Sequence, residues 1–94
     1  MYARLVRFNL GPGARTAAEE IAGRVVPAIE AQKGLKGVTF FGEDNEGEYG
    51  LFVLWDSRED AETAAVDVGP QLQGALSGVV KAPPDIRLFE VIEQ

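Results

Sequence analysis

The sequence predicts an α+β domain: a four-stranded antiparallel sheet with two helices on one face. Two observations lead there. Apolar runs of strand and helix period follow one another as strand, helix, strand, strand, helix, strand. One run, Leu51-Phe52-Val53-Leu54-Trp55, has no polar alternate, so its strand is buried on both sides and belongs at the sheet centre. The 94 residues suit one domain spanning 1–94.

The first strand runs from Tyr2 to Leu10. Tyr2, Arg4, Val6, Phe8 and Leu10 form its more apolar parity and are expected to face the helices. Gly11-Pro12-Gly13 ends it. Thr16 and Glu19 have capping-box spacing, which predicts a helix start near Thr16. Ile21, Val25, Ala28 and Ile29 mark its buried face, Pro27 predicts a kink, and Gly34 is the expected left-handed C-cap. Leu35 to Gly42 is the second strand. Four of the next six residues, Glu43 to Glu48, are acidic, and Asn45 and Gly47 favour a hairpin turn. The ligand pattern of a calcium loop is missing, so the loop is expected to be solvated, and no metal site is expected.

Tyr49 to Trp55 is the third strand. Asp56 or Ser57 caps the second helix, with Glu59 and Asp60 in its first turn. Ala61, Ala64, Ala65 and Val68 give it a narrow face of small residues. Gly69-Pro70 is expected to break it, with Pro70 opening a short new helix that carries Leu72, Ala75 and Leu76. After the extended Lys81 to Pro84, the last strand is expected over Asp85 to Glu93. Ile86, Leu88, Glu90 and Ile92 share one of its faces; Arg87, Phe89 and Val91 share the other. This order is the split βαβ pattern of a ferredoxin-like domain, with spatial strand order 4-1-3-2.

Composition excludes several functions. There is no cysteine, hence no disulfide, thiolate chemistry or Cys-based zinc site, and there is no histidine, the commonest general base and transition-metal ligand. The net charge of −6 disfavours nucleic acid. No apolar run approaches the roughly 18 residues that span a bilayer. The start of the chain lacks the pattern of a signal peptide. A cytoplasmic protein without cofactor, nucleic-acid partner or membrane contact is expected.

Two helices cover only one side of four strands. The other side keeps Phe41 or Phe40, alternate members of Leu51 to Trp55, and Phe89 or Leu88. Each such side chain is worth roughly 1.5–3 kcal/mol when buried. A second copy, packed sheet to sheet about a two-fold axis, is the simplest cover, so an obligate homodimer with a barrel-like core is expected.

Tyr2-Ala3-Arg4, Gly11-Pro12-Gly13, Pro27, Gly34 with Gly37, Leu54-Trp55-Asp56-Ser57, and Pro84 with Phe89-Glu90-Val91 occur in an order that resembles the antibiotic-biosynthesis-monooxygenase (ABM)-like dimeric α+β barrel proteins along the whole chain. The resemblance implies a homodimer with a cleft between helices and sheet in each subunit. Members of that family include cofactor-independent monooxygenases of polycyclic aromatic phenols, proteins that degrade haem, and many small proteins with no established activity. Haem degradation needs a histidine as iron ligand, so that activity is rejected here.

Five residues are candidates for a ligand site. Arg4 would hold an anion or phenolate, or else pair with Glu90 or snorkel to solvent. Trp55 would wall a planar ligand, or else sit in the core with its indole N–H on one acceptor. Asn9 would orient a carbonyl, or else bond the adjacent turn. Tyr49 would act as acid or base, although an ordinary phenol pKa near 10 suits neither role. Glu90 would be raised in pKa if buried, or else face solvent. Arg87 is a weaker counterpart of Arg4. The expected function is binding of a small apolar or aromatic ligand in the cleft without established catalysis. The alternative is ABM-type oxygenation of a phenol, which requires a closed pocket of about 300 Å³ or more.

Overall fold

The computed structural model describes residues 1–94 and has the expected element order: β1 (Tyr2–Asn9), α1 (Arg15–Glu30), β2 (Leu35–Glu43), β3 (Glu48–Trp55), α2 (Arg58–Leu76) and β4 (Asp85–Glu90). The sheet is antiparallel with order β2-β3-β1-β4, so the continuous apolar run of β3 is central. This is the ferredoxin-like arrangement. No helix is long and apolar enough to cross a membrane.

Register decides which side chains share a face. Tyr2, Arg4, Val6 and Phe8 stand opposite Trp55, Val53, Leu51 and Tyr49, and this set faces the helices, as the parity of β1 predicted. Val6, Phe8, Tyr49, Leu51, Val53 and Trp55 form the sheet side of one core. Ile21, Val25 and Ile29 of α1, and Ala61, Ala64, Val68 and Leu72 of α2, form its helix side. The alternate residues form the other face. There Leu5 stands between Phe52 and Arg87, and Ala3 between Leu54 and Phe89. Phe41, Phe52 and Phe89 are 39%, 39% and 47% exposed on it, so the sheet carries an uncovered apolar band.

Four local expectations are corrected. Helix α1 starts at Arg15 with Ala14 at its N-cap and no side-chain cap, so Thr16 and Glu19 make no capping box. The hairpin sets the start instead: Gly13 N–H bonds the Asp44 carbonyl, and Arg15 pairs with both Asp44 and Glu19. The same helix ends at Glu30, with Ala31 as C-cap. Gly34 is left-handed, at φ +85°, but it closes the turn into β2, where its carbonyl accepts from Asp56 N–H. Helix α2 runs unbroken through Gly69-Pro70. Proline deprives the Val66 carbonyl of its donor, yet Val66 is 78% exposed, so the loss falls on the solvent side and the helix persists. Strand β4 stops at Glu90, not Glu93, because its partner β1 runs out: Tyr2 faces Glu90, and Val91 N–H makes a last bond to the Met1 carbonyl. Ile92 is then 94% exposed, outside the strand.

The β2–β3 pair is locked by two glycine–aromatic exchanges. Phe41 stands opposite Gly50, and Gly42 opposite Tyr49. Each ring lies over the facing glycine: a Cβ on Gly50 would sit 2.4 Å from both Phe41 Cζ and the Val6 carbonyl oxygen. Because one of those atoms is backbone, Gly50→Ala is expected to destabilise by about 1–3 kcal/mol in urea unfolding. Gly23→Ala and Gly74→Ala, whose added methyls meet nothing within 4 Å, are expected to raise stability by about 0.4–1 kcal/mol.

Candidate functional site

The cleft lies between α2 and the sheet. Its position follows from how α2 is anchored. Ser57 takes the N-cap and its hydroxyl oxygen accepts from Asp60 N–H at 3.1 Å, and Glu59 and Asp60 fill the first turn. An Arg58–Glu62 ion pair of 2.8 Å spans the next turn. The helix then presents Ala61, Ala64, Ala65 and Val68 to a floor of Val6, Leu51 and Val53. Methyl groups do not fill the space over that floor, and a cavity of ≈ 130 Å³ remains, closed on one side by Val25 and Ile29 of α1. It falls short of the roughly 300 Å³ usual for ligand pockets.

Two of the five candidate residues meet there. Arg4 is half-buried and lines the cleft. Its Nη2 donates to the Ala61 carbonyl at 3.3 Å, a long bond to a backbone oxygen that already serves its own helix. None of the six ion pairs includes Arg4, and the cross-strand pair with Glu90 does not form. Burial lowers the Arg4 pKa, and the nearby Glu62 offsets part of that. Trp55 is 3% exposed and forms one wall of the cleft. It is a core residue, but its indole N–H finds no acceptor and is sealed from solvent. A buried donor left unpaired costs about 1–3 kcal/mol.

The other candidates lie elsewhere. Asn9 is a turn residue: its Oδ1 accepts from Gly11 N–H at 2.9 Å, and its Nδ2 donates to the Glu46 carbonyl at 3.1 Å. Glu90 is exposed at the end of the edge strand. Arg87 pairs with Asp85 at 3.3 Å on the uncovered face. Tyr49 is buried at the far end of the sheet, and its hydroxyl donates to Asp44 Oδ1 at 2.8 Å. Asp44 also holds Arg15 at 3.0 Å, so the acidic hairpin is tied to the start of α1. Sequence reasoning missed Gly69 and Ile86, which also line the cleft. Gly69 read as a helix breaker and Ile86 as ordinary strand; only their tertiary placement brings them together.

Residues 1–65 match the sequence model of the family described as "Antibiotic biosynthesis monooxygenase". No curated protein sequence matches the chain. Among solved structures, a protein of unknown function from Nitrosomonas europaea superposes with a TM-score of 0.82 at 17% identity, covering 99% of this chain and 90% of that one. A mutant form of SnoaB, a cofactor-independent oxygenase from Streptomyces nogalater, gives 0.82 at 20% identity, covering 99% and 94%. Rv0793 from Mycobacterium tuberculosis gives 0.75 at 20% identity, covering 99% and 96%. At these identities the likeness is one of fold.

The Tyr49–Asp44 bond makes stability depend on pH in both directions. The Tyr49 hydroxyl, then Arg15, hold the Asp44 carboxyl below its ordinary 3.8. The linked stability is therefore whole above 3.8 and is lost as pH falls through the lowered value. Burial first, and Asp44 second, hold the Tyr49 phenol above its ordinary 10.0. That contribution is whole below 10.0 and is lost as pH rises through the raised value. Urea unfolding across both ranges is expected to show Tyr49→Phe flattening both limbs and Asp44→Asn flattening chiefly the acid one.

Proposed function

Because the chain belongs to the antibiotic biosynthesis monooxygenase family, we propose that it binds a small apolar or aromatic ligand in the cleft between α2 and the sheet. The observation that carries this reading is Arg4: a half-buried cation, without a carboxylate partner, in the wall of an apolar cavity. A desolvated cation of this kind favours an anionic or strongly accepting oxygen. The Trp55 ring supplies an aromatic wall. Asn9, Tyr49 and Glu90 take no part in binding under this reading.

A second reading is oxygenation of a phenol without a cofactor. It is favoured by the same guanidinium, which would stabilise a phenolate over its phenol. Against it, the cleft lining holds no carboxylate, tyrosine or histidine to take the proton, so only a phenol already acidic enough to ionise would react. Binding is therefore the primary function proposed, and catalysis the secondary one.

We also propose that a second copy covers the sheet's other face. Support comes from the exposed band of Phe41, Phe52 and Phe89, with Leu5 and Leu54 among them, which is too apolar to leave in water.

Trp55 is the chain's single tryptophan, so its emission reports directly on the cleft. Titration with a single-ring phenolate or aryl carboxylate is expected to change that emission, and Arg4→Gln to weaken binding by about tenfold or more. Unchanged emission with every such compound would remove the binding reading. Oxygen uptake with the same phenols tests the second one. Sedimentation at micromolar concentration is expected to give twice the 10.1 kDa chain mass, and Phe52→Lys to give single subunits.

A further inference from the structure

The cleft meets a second space at the end away from Arg4. Gly69, Leu72 and Ile86 line both the cleft and a wider groove of ≈ 570 Å³, which continues past Pro70, Leu76 and Pro84. At this junction Ile86 is 48% exposed, and a Cβ added to Gly69 would meet no atom within 4 Å. The two spaces therefore adjoin across these residues.

Size and polarity limit what can lie along this path. The cleft's ≈ 130 Å³ is close to the roughly 150 Å³ at which an apolar protein cavity admits benzene. A fused polycycle does not fit, whereas a slim chain or a single ring does. Polarity is one-ended, because Arg4 is the only charged residue in the lining. Arg4 stands in the row of Val53 and Leu88; the next row on that face, about 7 Å along the strand, holds Val6, Leu51 and Ile86. The path thus begins at a cation, runs under the alanines of α2, and leaves over Ile86 into the groove.

We infer that the site takes an elongated amphipathic monoanion: a carboxylate head at Arg4, a slim apolar body under α2, and a tail that passes between Gly69 and Ile86 into the outer groove. This rests on the cleft-binding reading above and narrows its ligand class. Arg4 suits a carboxylate because its guanidinium makes one hydrogen bond, to Ala61, and has further N–H donors free.

The experiment is a calorimetric and Trp55-fluorescence titration with hexanoate, octanoate, decanoate and dodecanoate, the matched alcohols, benzoate, and one tricyclic aryl carboxylate. Affinity is expected to rise about fourfold per added methylene until the groove is filled. The tricyclic acid is expected to bind more weakly than decanoate. Gly69→Leu, whose added Cβ meets no atom within 4 Å, is expected to remove the gain in affinity from hexanoate to dodecanoate. Arg4→Gln is expected to erase the preference for acid over alcohol. Hexanoate binding with no gain along the series would overturn the elongated ligand, and so would a gain that persists in Gly69→Leu. Failure of hexanoate and benzoate to bind at all would instead overturn the cleft-binding reading, and this inference with it.

Discussion

The structure depends on one constraint: β3 is apolar on both faces, and the two helices cover only one of them. Leu51, Val53 and Trp55 point into the helix-side core, while Phe52 and Leu54 point the other way. A central position between β1 and β2 follows, since an edge would leave such a strand open to pairing. So does the division of labour among the other elements. Both helices serve one face, and the opposite face is left with an aromatic band that neither helix covers.

The cleft is a by-product of how the helix side is filled. Helix α1 brings Ile21, Val25 and Ile29, whose branched side chains reach the sheet. Helix α2 brings alanines, which pack closely but leave volume above Leu51 and Val53. Arg4 occupies a position on that same face where an apolar residue would have completed the core. A half-buried guanidinium held by one long bond to a helix carbonyl is a poor structural device, because its desolvation is only partly offset, by the nearby Glu62, and no carboxylate pairs with it. That imbalance makes Arg4 a ligand contact in the proposed reading.

Much of this was legible in the sequence, and the remainder was hidden for identifiable reasons. Strand order and the parity of β1 followed from apolar periodicity, which long-range packing enforces. Three of the misjudged boundaries depended on contacts outside the local segment. Asp44 and Gly13 decide where α1 begins, not Thr16. Val66 is exposed and so tolerates Pro70. Tyr2 is the last residue of β1 that β4 can pair with. The site was half legible. Arg4 and Trp55 stood out as polar or amphipathic groups on a core face, and register brings them to one cleft. Asn9 and Tyr49 carried the same chemical promise, but their atoms are engaged by the hairpin. Gly69 and Ile86 gave no chemical signal at all.

The hairpin tip and the turn after β1 touch backbone to backbone: Gly47 is buried, and a Cβ on it would fall 2.0 Å from the Gly11 carbonyl oxygen. Leu10 N–H bonds the Gly47 carbonyl, and Asn9 bridges to Glu46. These two surface loops therefore form a single rivet. Lineage drift in loop length, ordinarily cheapest at such tips, would be barred here and diverted to Ala82–Pro84, beyond the point where Lys81 N–H ties the connector to the Asn9 carbonyl.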